Sequence, residues 1–208
     1  MTLNREQFVL DGVSRETVAK LRHYAEEVAR WNPVINLVSD RSLTAFWERH
    51  VLDSLQLFNL LPERCRSVAD LGSGGGLPGL PLALIAASAR PDIRVTLVES
   101  DQRKAAFLLS VARSLDLDLR IELARIEDVP PLNADVVTAR ALAPLKVLCS
   151  HVLRHLAADG LAILPKGTNW EAEVTEARRK WQFKLSCKQS ETDPSARILL
   201  LSEIMHAA

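Results

Sequence analysis

The chain has 208 residues, is 48% apolar and carries 26 basic against 26 acidic side chains. That is enough apolar residue for one well-filled core, and the even charge excludes a strongly basic nucleic-acid coat or a polybasic membrane anchor, though not a local basic face. Cys65, Cys149 and Cys187 are odd in number, widely spaced and without a C-x-x-C pair, which argues against a disulfide framework or zinc ribbon and fits a reducing cytoplasm. The first residues show no secretory h-region. The longest apolar run, 77–89, holds two prolines and is too short to span a bilayer, so no membrane attachment is expected.

In chain order, residues 14–31 predict an amphipathic helix: Ser14 is a suitable N-cap, and Val18, Leu21, Ala25, Val28 and Trp31 form an apolar stripe. Asn32-Pro33 is expected to end it. A second helix is expected over 43–60, carrying Phe46, Trp47, Val51, Leu55 and Phe58. Both precede any strand, so residues 1–62 read as a helical cap and 63–208 as the core, together one domain. From residue 67 the pattern alternates. Strands are predicted at 67–71, 94–98, 119–123, 135–138 and 161–164, with helices at 79–89, 102–115 and 145–157. That alternation predicts an α/β fold with a parallel sheet and helices on both faces. A helix at 169–181 and two strands at 183–188 and 197–201 close the chain, the last two as a hairpin that makes the sheet mixed.

The first strand runs into the most informative segment. Five of the eight glycines lie between Gly72 and Gly79. A strand, a glycine turn and a helix start together form a nucleotide-type cofactor site. Two registers compete. Gly74-x-Gly76-x-x-Gly79 has dinucleotide spacing, and Asp70-x-Gly72-x-Gly74-x-Gly76 has the acid-then-glycine pattern of S-adenosylmethionine sites. Counted from the strand end at Gly72, the third glycine of a dinucleotide loop would fall on Leu77. Asp70 would repel a pyrophosphate but tolerate a sulfonium. Glu99, ending the second strand, is placed to accept hydrogen bonds from ribose hydroxyls, or else is a charge ahead of the next helix. Ile126 and Glu127 follow the third strand, beside an adenine pocket in this architecture or in an ordinary solvated exit.

Several strings are more specific than the glycines: Trp31-Asn32, Asn36-Leu37, Arg49-His50-Val51-Leu52-Asp53-Ser54-Leu55, Gly79-Leu80-Pro81, Ala139-Arg140-Ala141 and Leu164-Pro165-Lys166-Gly167. In these the chain resembles the bacterial small-subunit rRNA guanine-N7 methyltransferases (RsmG, also called glucose-inhibited division protein B). The resemblance covers most of 31–167 and extends to the C-terminal hairpin only in style. It departs from many relatives at Gly75, where they have proline, and at Glu99, where they have aspartate. It implies a Rossmann-like class I fold, S-adenosylmethionine as cofactor, and methylation of N7 of one guanine in 16S rRNA by a cytoplasmic monomer. It implies Gly72, Leu77, Ile126, Glu127 and Arg140 as cofactor contacts, beside Asp70, Gly74 and Glu99 from the loop pattern.

Guanine N7 carries a lone pair and no proton, so no general base is expected and no triad is found. Arg140, at the end of the fourth strand, is expected on the cofactor carboxylate, with guanine O6 as the other acceptor in reach. Lys166, after the fifth strand, reads either as an RNA-phosphate contact or as a solvated loop lysine. His50 and Asp53 are i, i+3 neighbours able to pair, and with Arg49 they either cover the site or pack the helix. His151 and His155 are i, i+4, but no Glu follows the first, so no metal site is expected. Arg41 and Arg49, and Arg178, Arg179, Lys180, Lys184 and Lys188, are the local basic groups available to RNA. Three rivals share parts of this reading: a methyltransferase with another acceptor, a non-catalytic binding module, and a dehydrogenase disfavoured by Leu77.

Overall fold

The computed structural model describes residues 12–39 and 43–207, so Arg41 lies outside the described residues. Its sheet has the order β3-β2-β1-β4-β5-β7-β6, from β1 (Ser67–Leu71), β2 (Arg94–Glu99), β3 (Arg120–Leu123), β4 (Ala134–Thr138), β5 (Leu156–Lys166), β6 (Trp181–Gln189) and β7 (Arg197–His206). The first five run parallel. β7 is antiparallel to both its neighbours, β5 and β6. The chain leaves β1 towards β2 on one side and later returns to β4 on the other. The crevice beyond the carboxyl ends of those strands is where such sheets take ligands.

Apolar side chains alternate between two cores. Val68, Val95, Leu97 and Val136 face one, with α1 (Arg15–Ile35), α2 (Gly79–Ala89) and α3 (Gln102–Ser114). Ala69, Leu71, Val98 and Val137 face the other, with α4 (Leu145–His155) and α5 (Trp170–Ala177). α2 is buried from Gly79 to Ala86 and has no polar face, because α1 covers the side that the sheet does not. No helix among the described residues is long and apolar enough to cross a membrane.

Three expectations need correction. α1 does not end at Asn32-Pro33 but runs to Ile35, with Asn36 in the left-handed conformation as its C-cap. A proline three residues from a helix end removes only one ladder bond, and Asn32 Oδ1 secures the exit by accepting the Val38 N–H at 2.9 Å. The helix expected over 43–60 is broken into a π-helix (Trp47–Leu52), one α-turn (Asp53–Leu55) and a 3₁₀ turn (Phe58–Leu60). The helix expected over 169–181 stops at Ala177, and Trp181 instead begins β6, buried, with its indole N–H donating to the Lys146 carbonyl at 2.8 Å.

Candidate active site

β1 opens into the glycine loop. Ser73 N–H donates to the Val98 carbonyl at 3.0 Å, and the Ser73 hydroxyl to the Asp70 carbonyl at 3.0 Å, folding the turn back on the sheet. Gly72 has φ +67°, and a Cβ added there would stand 2.5 Å from Leu142 Cδ1. The loop therefore needs a residue without a side chain at this point. Behind it, Tyr24 of α1 donates its phenol to the Gly75 carbonyl at 2.6 Å, and burial raises that phenol's pKa. The tyrosine was missed in the sequence, although it is the single Tyr of the chain and follows Leu21 by three on α1's apolar face.

Glu99 fixes the loop from the side. One carboxylate oxygen accepts the Gly74 N–H at 2.8 Å and the other the Asp101 N–H at 2.7 Å. A carboxylate has about four acceptor positions, so two stay available to hydroxyl groups. The N-cap of α3 is Asp101, which accepts from Arg103 and Lys104 N–H.

A cavity of about 630 Å³ lies over these strand ends. Of the eight expected cofactor residues, Gly72, Gly74, Leu77, Glu99, Ile126, Glu127 and Arg140 line it. Asp70 does not. It is fully buried under the loop, where its Oδ2 accepts the Gly79 N–H at 3.1 Å. Its Oδ1 has no partner among the described residues, and burial pushes its pKa up to about 7. Asp70 thus ties β1 to the start of α2 instead of facing the cavity. Gly79 makes that approach possible: an added Cβ would meet Leu97 Cδ2 at 2.3 Å and Asp70 Cβ at 2.8 Å. Gly79→Ala is accordingly expected to cost about 1–3 kcal/mol of stability by overpacking, read as a lower urea midpoint; an unchanged midpoint would show that the seam yields freely.

Arg140 stands beyond β4. Its Nη1 lies 2.7 Å from His50 Nδ1, 3.6 Å from Asp53 Oδ2 and 3.5 Å from the Arg49 carbonyl. His50 and Asp53 therefore clasp Arg140, where the sequence suggested that they pair with each other. A guanidinium has no acceptor, so His50 Nδ1 must accept and the imidazole proton sits on Nε2, which is buried without a partner among the described residues. Burial first, then Arg140 and Arg49, push the His50 pKa down to about 4.

Lys166 closes β5 and is not a solvated loop residue. Its side chain is 9% exposed. Nζ donates to Glu173 Oε2 at 2.8 Å and to the Ala143 carbonyl at 3.0 Å, while Glu173 also accepts the Leu145 N–H at 2.8 Å. Lys166 and Glu173 thus brace the segment between Arg140 and α4. Of the two histidines spaced i, i+4, His155 bonds the Ile126 carbonyl at 3.0 Å and His151 lies 4.0 Å from Glu127. Among the described residues no group of three His, Cys, Asp or Glu is gathered as a metal site.

A second cavity, of about 1000 Å³, adjoins the first and includes Arg49, Asp53, Lys166, Thr192 and Arg197 in its wall. His50, Arg140 and Ala141 to Ala143 belong to both.

The first cavity fits S-adenosylmethionine by the chemistry of its donors and acceptors. Glu99 offers acceptors for a ribose, Ile126 an apolar flank for a base, Arg140 a cation for a carboxylate, and Gly72 a floor that a Cβ would fill. Glu99 would serve a dinucleotide ribose as well, but the Asp70 carboxyl buried behind the loop gives a pyrophosphate no counter-charge and leaves room for a sulfonium. That preference, on a parallel sheet with antiparallel β7 inserted between β5 and β6, places the chain among the class I S-adenosylmethionine-dependent methyltransferases.

Solved structures carry the same fold. A TehB-like SAM-dependent methyltransferase from Corynebacterium glutamicum has a TM-score of 0.58 at 15% identity, covering 87% of this chain and 98% of that one. A T. thermophilus 16S rRNA guanine-N2 methyltransferase, solved with AdoMet and guanosine, has a TM-score of 0.52 at 19% identity, over 73% of this chain and 38% of that one. The family model described as GidB, rRNA small subunit methyltransferase G, matches residues 17–196. The ribosomal RNA small subunit methyltransferase G of Cereibacter sphaeroides is 48% identical over 194 residues, 93% of each chain. That of a Ruegeria species is 46% identical over 204 residues, 98% of each. The chain belongs to the rRNA small subunit methyltransferase G family.

Proposed function

We propose that the chain transfers the methyl group of S-adenosylmethionine to N7 of one guanine in 16S rRNA, acting on the small ribosomal subunit as a cytoplasmic monomer without a metal. The observation that carries this reading is the pair of cavities with a common wall at Arg140 and His50: one suits the cofactor, and the larger one beside it suits an unstacked base. The cofactor supplies an electrophilic methyl group on a sulfonium. Glu99 holds the ribose, Ile126 and Glu127 the adenine, and Gly72, Gly74 and Leu77 form the floor. Arg140 takes the carboxylate, and Lys166 fixes the segment that shapes the acceptor side.

The acceptor nitrogen has no proton to lose, so these residues need only hold, align and exclude water. Alignment of that kind lowers a barrier by up to ~7–11 kcal/mol in ideal cases. Methylation leaves a positive purine, and His50, held neutral, adds no further charge beside it.

This gives a pH expectation. The His50 pKa of about 4 lies below its ordinary 6.5, so His50 is neutral throughout pH 6–8 and takes up a proton only as pH falls toward 4. The kcat/KM profile is then expected to carry no His50 inflection near 6.5. An inflection there that disappears in His50→Asn would contradict it. The reading is also tested by comparing small subunits with deproteinised 16S rRNA as acceptors at physiological salt. With no net charge to recruit naked RNA, the subunit is expected to be the better substrate.

A further inference from the structure

The wall between the two cavities is held from the far end of the sheet. Asp53 presents Oδ2 to Arg140 at 3.6 Å. Its Oδ1 accepts the Thr192 hydroxyl at 2.7 Å and the Gln56 amide N–H at 2.8 Å. Gln56 also donates to Ser190 Oγ at 3.1 Å, and its carbonyl accepts the Glu191 N–H at 2.8 Å. Gln56 and Ser190 are buried. One carboxylate therefore fastens the loop between β6 and β7 to the helical cap and, with its second oxygen, holds Arg140. Thr192 lines the larger cavity alone, whereas Arg140 lines both.

We infer that Thr192 and Asp53 are positioning residues that couple the two cavities, so that RNA bound against the β6–β7 loop sets the placement of Arg140 on the cofactor side. The proposal rests on the reading of Arg140 as the partner of the cofactor carboxylate. Three features support it. Arg140 and Asp53 are both more than four-fifths buried, at 18% and 17% exposure, so their attraction is weakly screened. At 3.6 Å the pair is looser than a direct hydrogen bond, so a small displacement of the carboxylate changes what Arg140 offers elsewhere. The loop also stands where an RNA backbone would be met, because Arg49 and Arg197 share its cavity. Coupling between two binding sites is reciprocal. Whatever RNA does to cofactor affinity through this carboxylate, the cofactor does to RNA affinity.

The test is a mutant cycle on S-adenosylmethionine affinity, measured by calorimetry on the full chain without RNA. Thr192→Val removes the hydroxyl that holds Asp53 and keeps its shape. Although Thr192 lies outside the cofactor cavity, this variant is expected to weaken cofactor binding about fivefold or more, within the usual range of coupling between sites. Thr192→Ser, which keeps the hydroxyl, is expected to restore it. In an Arg140→Ala background, Thr192→Val is expected to have no further effect. Unchanged cofactor affinity in Thr192→Val, with Arg140→Ala weakened, overturns the coupling alone. Additive effects of the two substitutions overturn it as well. Unchanged affinity in Arg140→Ala overturns the cofactor role of Arg140 and the coupling with it.

Discussion

Gly72→Val is expected to abolish S-adenosylmethionine binding while leaving the chain folded. Gly72 sits at φ +67°, where a β-branched residue is strongly disfavoured. Its new Cβ would stand 2.5 Å from Leu142 Cδ1, on the floor of the smaller cavity. Leu142 is 36% exposed, so its side chain can swing away, and the collision spoils the cavity without breaking the core. Calorimetry is expected to find at least a hundredfold loss of affinity, with a far-ultraviolet circular dichroism spectrum like that of the parent. Affinity within twofold of the parent would mean that the cofactor lies elsewhere. Gly79 supplies the contrast: its missing Cβ makes room for Leu97 and Asp70, so substitution there strikes stability first.

Arg140→Ala is expected to lower kcat/KM by at least about a hundredfold, roughly 2.7 kcal/mol of transition-state stabilisation. The substitution takes a cation from both cavities and leaves Asp53 without its counter-charge. Breaking one side of a mostly buried ion pair is costly for that reason. Arg140→Lys is expected to recover only part of the loss, because an ammonium cannot present the planar fork that meets a carboxylate. Methyl transfer by Arg140→Ala at near-parent kcat/KM would remove Arg140 from the account.

The division between what could be read from the sequence and what could not follows the range of the interactions. β1, the glycine loop and α2 are a contiguous run whose apolar residues and glycines state their own conformation, and the cavity formed where they were expected. Arg140 was placed correctly at a strand end because strand order determines which ends face the crevice. Its partners were not legible: His50 and Asp53 are close in sequence and looked like a pair, yet each meets a residue about ninety positions away. Lys166 read either as an RNA-phosphate contact or as a solvated loop lysine, because the acid that neutralises it, Glu173, belongs to the next helix. Asp70 carried the right pattern for the wrong job, since periodicity locates a residue on a strand without telling the cavity side from the helix side. The C-terminal hairpin resembled the family only in style, but its Thr192 reaches the same carboxylate as Arg140. Only the folded sheet brings these segments together.

The most direct test of the central claim is the identity of the product. Small ribosomal subunits from cells lacking this enzyme would be incubated with the purified chain and methyl-labelled S-adenosylmethionine, and the 16S rRNA digested to nucleosides for mass spectrometry. Label is expected in a single N7-methylguanosine per subunit, and none with Gly72→Val. Label on another atom or nucleoside, or no transfer by a chain that binds the cofactor, would contradict it.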